Sequence, residues 1–292
     1  MKIFRDKVAV ITGAAEGIGR AIAMRAAAEG MKLVLVDIDA IKLEAAVAEF
    51  KVQNIEVIGV CADVSKAEQV DALAAQVFEQ CRNVHLLVNN AGVSIIKPVW
   101  ETTPEDWAWV MGVNLYGVTN SLRAFIPTML KNDEEGYIIN TASTAGLTSQ
   151  SCVAAYNASK HAVITVSEGL HHDLTLRDAK IKVSVLCPLW VKTRIDQAER
   201  NRPPGDAPRT AASDAIVAKA EECISKAVEN GVLAAEVADA LFDAIAIEQF
   251  YILTDPAVMP AIRMRMKDIL CQRQPTSFGF NAEMATGGVA QV

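Results

Sequence analysis

The stretch from Ser143 to Lys160 reads S-T-A-G-L-T-S-Q-S-C-V-A-A-Y-N-A-S-K and carries the side chains best suited to chemistry. On a helix, the four-residue spacing of Tyr156 and Lys160 puts both on one face, one turn apart. An ammonium beside a phenol stabilises the phenolate and lowers a pKa that is ordinarily near 10. Such a tyrosine can exchange a proton with a substrate oxygen. Ser143 follows the apolar run Tyr137 to Asn140, which reads as a strand end, so its hydroxyl is placed to polarise the same oxygen from a rigid support. Taken alone, the tyrosine and lysine are also an ordinary helix-face pair. The elements around them have to decide.

Lys7 to Thr12 is a short Val/Ile-rich run, the pattern of a strand buried on both faces. It ends in Gly13-Ala14-Ala15-Glu16-Gly17-Ile18-Gly19, followed by an Ala-rich helix to Gly30. Glycines there permit a tight turn and let backbone N–H groups approach a phosphate at the positive end of a helix. A second strand, Lys32 to Val36, stops at Asp37, near the distance expected of an acid that grips a ribose 2′-hydroxyl. Together these features indicate a dinucleotide site. Asp37 repels a 2′-phosphate, Ile38 adds no positive charge, and Glu16 places a further acid in the glycine turn, so NAD is expected rather than NADP.

The alternation continues. Helices are expected over Asp39 to Gln53 and Lys66 to Arg82, and strands over Ile55 to Cys61 and Val84 to Val88, the latter ending at Asn89-Asn90-Ala91-Gly92. This order predicts an α/β fold with a doubly wound parallel sheet that binds ligands beyond the carboxyl ends of its strands. Asp63 and the Asn90 to Gly92 turn lie at that edge, where turn chemistry alone would also select Asn, Asp and Gly. Thr103-Pro104-Glu105-Asp106 starts a helix running to about Lys131. Asn114, with glycines on either side at 112 and 117, marks either a kink that holds water or backbone groups or an incidental surface residue.

A helix from Cys152 to Arg177 and a strand Ile181 to Cys187 follow. The regular alternation then breaks at a Pro-rich, charged loop, Asn201 to Arg209, and an amphipathic helix, Ser213 to Glu229. An insertion at the ligand edge, about residues 196–232, is expected to act as a substrate lid. A helix Ala234 to Gln249, a strand Phe250 to Leu253 and a last helix from Pro256 to about Arg273 complete the expected core, with an irregular tail from Gln274 to Val292. The 292 residues are read as a single domain.

About half of the residues are apolar and the formal charge is −7. No basic stripe suggests nucleic acid or anionic membranes, and no apolar run suggests a span or a leader. A cytoplasmic enzyme of small molecules is expected. Six scattered cysteines read as reduced thiols, and the four histidines show no metal-ligand spacing, so no metal is expected.

Five motifs in register, T-G-x-x-x-G-I-G at Thr12 to Gly19, N-N-A-G at Asn89 to Gly92, Asn114, Ser143 and Y-x-x-x-K at Tyr156 to Lys160, resemble the short-chain dehydrogenase/reductase family over about residues 5–195. The resemblance implies a Rossmann-type fold in which Gly13, Gly17, Ile18 and Gly19 cradle a pyrophosphate. Asp37 and Ile38 would face the adenosine ribose, Asp63 and Val64 the adenine, Asn90, Ala91 and Gly92 the next turn of the cofactor site, and Pro188, Val191 and Thr193 the nicotinamide side. Tyr156 would be the general acid/base and Lys160 would hold the nicotinamide ribose. Ser143 would orient the substrate oxygen and Asn114 would hold a water that relays protons from Lys160.

Two features depart from the family pattern. Leu189 and Trp190 stand where glycine usually follows Pro188, and the chain ends in F-Y-I-L-T-D-P and a further helix, an extended C-terminal variant. The first narrows the pocket or makes it more apolar, and the second puts a C-terminal tetramer contact in doubt. The helices Pro104 to Lys131 and Cys152 to Arg177 remain candidates for a dimer interface, so a homodimer or homotetramer is expected. Ser94, Ile95, Ile96, Leu147, Val153, Leu189 and Trp190 form an apolar candidate pocket for a bulky or aromatic secondary alcohol or ketone. Alternatives are a steroid-type alcohol, a 3-oxoacyl thioester drawn by Arg200, Arg202 and Arg209, or an NAD-binding module without turnover.

Overall fold

The computed structural model describes residue 1, residues 3–203 and residues 215–276. Among the described residues, β1 (Val8–Thr12), β2 (Lys32–Asp37), β3 (Val57–Cys61), β4 (Leu86–Asn89), β5 (Gly136–Thr141), β6 (Ile181–Cys187) and β7 (Tyr251–Leu253) form one sheet in the order β3-β2-β1-β4-β5-β6-β7. Every pairing is parallel. Strand order reverses between β1 and β4, the point where a doubly wound Rossmann-type sheet opens a crevice for ligands.

Two apolar layers explain the short, unbroken Val/Ile runs. Ala9 and Ile11 of β1 point to one face, where α1 (Gly17–Ala28), α2 (Ala40–Val52) and α8 (Ala234–Ala246) cover them with Ile22, Phe50 and Leu241. Val8 and Val10 point to the other, beneath Leu73 of α3 (Ala67–Cys81), Phe125 of α5 (Gly117–Asn132) and Val163 of α6 (Ala154–Leu176). With both faces covered, the central strands cannot alternate polar and apolar residues.

The helix expected from Pro104 to Lys131 is interrupted. It begins as α4 (Pro104–Met111), capped reciprocally by Thr103 and Asp106. It then widens into a π turn, Gly112–Tyr116, where the Gly117 N–H bonds Gly112 O, and resumes as α5. Glycines at both ends and Asn114 between them are the cause, since none favours a regular interior. Most other boundaries shift by a few residues. The last helix is split into a 3₁₀ turn, Pro256–Val258, and α9 (Met259–Leu270). The loop expected at Asn201 to Arg209 falls largely outside the described residues, as does most of the tail, and the helix α7 is described from Ala215 to Glu229.

His85 ties β1, β4 and β5 together. Its Nδ1 accepts from the Val8 N–H at 3.1 Å, so its proton sits on Nε2, which faces Glu134 Oε2 at 3.0 Å. Burial pushes the imidazole below its ordinary pKa, opposed in part by Glu134. A base depressed in the folded state costs nothing above its unfolded value, near 6.5. It destabilises as pH falls through that value toward the folded one, because the unfolded chain then binds more protons. Between about pH 7 and 5, urea midpoints of the wild type should fall more steeply than those of His85→Gln; parallel profiles would show that His85 does not carry this dependence.

Candidate active site

A cleft of about 290 Å³ opens along the carboxyl edge of the sheet, and it joins the glycine turn at one end to Ser143, Tyr156 and Lys160 at the other. Gly13 and Gly17 adopt φ values of +63° and +60°, which favour glycine. A Cβ on Gly19 would sit 2.1 Å from Gly13 O, so that glycine lets α1 start hard against the turn. Gly19 therefore supports the turn from behind, while Gly13, Gly17 and Ile18 line the cleft. Glu16, the N-cap of α1, makes no side-chain cap, leaving the first-turn N–H groups without one. Asn90 braces the same turn: its Nδ2 donates to Thr12 O at 3.0 Å and Gly13 O at 3.3 Å.

Asp37, Ile38, Asp63, Val64, Asn90, Ala91 and Gly92 all line the cleft. The Asp37 carboxylate accepts from the N–H groups of Ala15 and Asp39, both at 3.0 Å, which fixes its direction. Asp63 accepts from Ser65 N–H at 2.9 Å and closes its own turn. Glu16 does not stand as a bare acid. Its carboxylate takes Lys42 at 3.1 Å, Arg194 at 3.7 Å and a close contact from Arg200. Burial raises its pKa, yet Lys42 and Arg200 outweigh this and hold the carboxyl below the usual range. The sequence reading of Glu16 as simple added repulsion is corrected by these long-range partners.

At the other end, Ser143 leaves β5 in an extended conformation and its Oγ accepts from Ala145 N–H at 3.1 Å. Tyr156 is partly exposed in the cleft and Lys160 is only 3% exposed behind it. The Lys160 Nζ donates to Thr141 O at 2.8 Å and lies 5.6 Å from the Tyr156 ring centroid. Burial pushes the Tyr156 phenol up, and a hydrogen bond with Ser143 works against it. Burial also lowers Lys160 to about 8. The expected depression of the phenol by the ammonium is therefore overridden here by desolvation. Cys187 beneath them is pushed up to about 12 by burial and stays a neutral thiol at pH 7.

Asn114 resolves the alternatives left by the sequence: it is fully buried and off the cleft wall. Its Oδ1 accepts from Val93 N–H at 2.8 Å, and its Nδ2 donates to Val93 O and Ser159 Oγ, both at 2.9 Å. Both of its amide hydrogens are thus spent on protein partners, and the side chain fastens the Asn90 to Val93 turn to α6.

Of the expected pocket residues, Ser94, Ile95, Ile96, Val153, Leu189 and Trp190 line the cleft, as do Pro188, Val191 and Thr193. Leu147 does not. The 3₁₀ turn Thr144–Gly146 carries it away, and it packs against the core beneath α6. Val153, Ile224 and Val228 cluster with Ile96, Tyr156, Trp190 and Ile195, so α7 covers the reacting end with aliphatic side chains. Sequence reasoning missed Gly231, where a Cβ would lie 2.6 Å from Trp190 O; Val232 N–H bonds that carbonyl at 3.0 Å. The Asn-Gly pair closing α7 was the signal. It also missed the rim anchor in which Asp106, 3% exposed, takes Lys97 at 2.7 Å and Arg202 at 2.8 Å.

The model of the short chain dehydrogenase family matches residues 7–204. The chain belongs to this family. Membership makes it an oxidoreductase, and the relatives are consistent with that. A CLA biosynthesis dehydrogenase/reductase of Lactiplantibacillus plantarum is 36% identical over 278 residues, 94% of this chain and 97% of that protein. A C alpha-dehydrogenase of a Sphingobium species is 36% identical over 70% of this chain and 66% of its own length. Among solved structures, a short-chain dehydrogenase/reductase from Burkholderia phymatum in complex with NAD superposes with a TM-score of 0.92 at 46% identity, covering 95% of this chain and 99% of that one. Among the described residues, no helix is long and apolar enough to cross a membrane, and no group of three metal-binding side chains occurs.

Replacing Asn114 with Ala strands the Val93 N–H and carbonyl inside the protein. At about 1–3 kcal/mol for each of the two unpaired groups, chemical denaturation should show a loss on the order of 2–6 kcal/mol. A change within about 0.5 kcal/mol would refute the bracing role.

Proposed function

We propose that this family member is an NAD-dependent dehydrogenase or carbonyl reductase acting on a bulky, apolar secondary alcohol or the corresponding ketone. The observation that carries the reading is the convergence of Ser143, Tyr156 and Lys160 in one cleft with the glycine turn and Asp37. The residues fit a dinucleotide: positive-φ glycines against Ala91, where a Gly13 Cβ would approach Cα to 3.0 Å, first-turn amides without a side-chain cap, and an oriented carboxylate at the end of β2. When bound, the nicotinamide supplies or accepts the hydride. Gly13, Gly17 and Ile18 would hold the pyrophosphate, Asp37 the adenosine ribose, Asp63 and Val64 the adenine, and Val191 and Thr193 the carboxamide side.

Within this reading the chain's own residues handle the proton. Tyr156 donates it to the developing alkoxide in reduction and removes it in oxidation, with Ser143 hydrogen-bonded to the same oxygen. Lys160 places its charge behind the phenol, where water is largely excluded and a charge acts more strongly than in solvent. Asn114 holds the Asn90 to Val93 turn in place and is a positioning residue rather than a catalytic one.

Ile95, Ile96, Val153, Trp190, Ile224 and Val228 around Tyr156 support an apolar substrate. A carrier-bound thioester finds less support, because Arg200 and Arg202 are engaged by Glu16, Asp106 and Glu199; Arg209 lies outside the described residues. Self-association as a homodimer or homotetramer, through the stretch from α4 through the π turn to α5 and through α6, is part of the proposal, with Tyr116 of the π turn and Leu176 of α6 left 55% and 83% exposed on the single chain.

The test is nicotinamide absorbance with NAD and a panel of aliphatic, benzylic and steroid secondary alcohols, with Tyr156→Phe as control. Turnover of one class is expected, falling at least 10²-fold in the variant while NADH still quenches protein fluorescence. Unchanged turnover in the variant would overturn the assignment of the acid/base.

A further inference from the structure

One carboxylate behind the substrate end of the cleft ties together three of the elements that enclose it. Asp106 is buried and does not itself line the cleft. Its Oδ2 accepts from Lys97 Nζ at 2.7 Å and from the Thr103 N–H at 3.1 Å, and its Oδ1 accepts from Arg202 at 2.8 Å. Each donor belongs to a different element. Lys97 stands in the segment after β4 that brings Ile95 and Ile96 to the cleft, and its N–H bonds Cys152 O at 2.7 Å, just before α6. Arg202 caps the 3₁₀ stretch Ile195–Asn201 of the segment that crosses from β6 toward α7, and Ala198 of that stretch clusters with Ile95 and Trp109. Thr103 caps α4, which contributes Trp109 to the cleft.

The carboxylate is ionised. Burial pushes Asp106 up, yet Lys97, the Thr103 N–H and Arg202 outweigh this and hold it below its usual range. The Lys97 and Arg202 side chains are only 18% and 8% exposed, so little water screens them. A buried ion pair adds little net stability over an apolar filling, but removing one partner leaves the other charge uncompensated. Without Asp106, Lys97 would face Arg202 as a like charge, and Arg202 would keep Glu199.

We propose that Asp106 is a positioning residue for the substrate: it sets the separation of the two walls of the apolar pocket by holding Lys97 of one against Arg202 of the other, without touching substrate or cofactor. The inference rests on the reading of the cleft as an alcohol or ketone site and deepens it with a determinant of how tightly that substrate is held. The two ends of the cleft are braced separately. Asn90 holds the glycine turn, and Arg200 ties the crossing segment to Glu16 there. Loosening the Asp106 contacts therefore weakens the hold on the alcohol and leaves NADH binding intact.

Asp106→Asn removes the charge at nearly the same size and keeps an acceptor for the Thr103 N–H. With NAD and the panel alcohol that the wild type oxidises fastest, 1-phenylethanol being the benzylic member, KM should rise about tenfold or more while kcat and the NADH dissociation constant stay within about twofold. Hydrogen exchange needs no substrate. It should quicken at least about threefold in residues 93–98 and 195–202 and stay unchanged in the glycine turn, residues 12–19. Arg202→Gln is a second variant, and combining it with Asp106→Asn should raise KM no more than about twofold beyond the worse single change, since both break one contact. A kcat that falls as far as kcat/KM, weaker NADH binding, or KM effects that multiply in the double variant would each overturn the proposal. So would exchange that is unchanged in either wall or quickened throughout. A wild type that oxidises no alcohol of the panel sinks the dehydrogenase reading, and the exchange measurement then decides on Asp106 by itself.

Discussion

The burial of the Lys160 ammonium is the constraint around which the site is arranged. An isolated charge taken out of water costs several kcal/mol, and the chain meets that cost with the Thr141 carbonyl at the end of β5, 2.8 Å away. The cost still shows in a lysine lowered to about 8. Residues without Cβ atoms let the Lys160 backbone and its ammonium pack closely. A Gly146 Cβ would lie 2.6 Å from Lys160 O, and one on Gly92 would approach Nζ to 3.5 Å. Asn114 locks the turn that carries Gly92, and Ser159, one residue before Lys160, accepts the other end of that lock. That asparagine sits in the π turn and is fully buried. A positive charge held in this way, without solvent to disperse it, is ready to act on the neighbouring phenol.

The cofactor end depends on backbone proximity instead. Gly13, Gly17 and Gly19 let β1, α1 and the Asn90 turn come within contact distance, and Asn90 stitches β4 to the turn across the sheet's switch point. The crossing segment from Thr193 onward closes the groove from above. Ion pairs anchor its far part, Arg200 to Glu16 in the glycine turn and Arg202 to Asp106 at the start of α4. Arg202 also stacks 4.3 Å over the Trp109 ring, giving that rim an apolar as well as an ionic hold.

Local chemistry carried most of what the sequence revealed. Short two-face strands, the glycine turn, the Thr103-Pro104 helix start and the Tyr156/Lys160 spacing are written in neighbouring residues, and the parallel sheet follows from their alternation. What stayed hidden depends on contacts far apart in the chain. Glu16 and Arg200 are 184 residues apart, and no local pattern announces that an acid in the turn will be neutralised. Leu147 looked like a pocket residue because it follows Ser143 closely, but a single 3₁₀ turn swings it into the core. The Tyr156 pKa was misjudged because spacing reports the neighbouring charge and says nothing of desolvation.

The central claim is that a hydride passes directly between a substrate carbon and a nicotinamide in the cleft that Tyr156 and Lys160 close. The most direct measurement is mass spectrometry of the cofactor after oxidation of an accepted secondary alcohol carrying deuterium on its carbinol carbon. The account predicts reduced cofactor heavier by one deuterium, with no label in the solvent. Unlabelled reduced cofactor, or deuterium released to water, would contradict it.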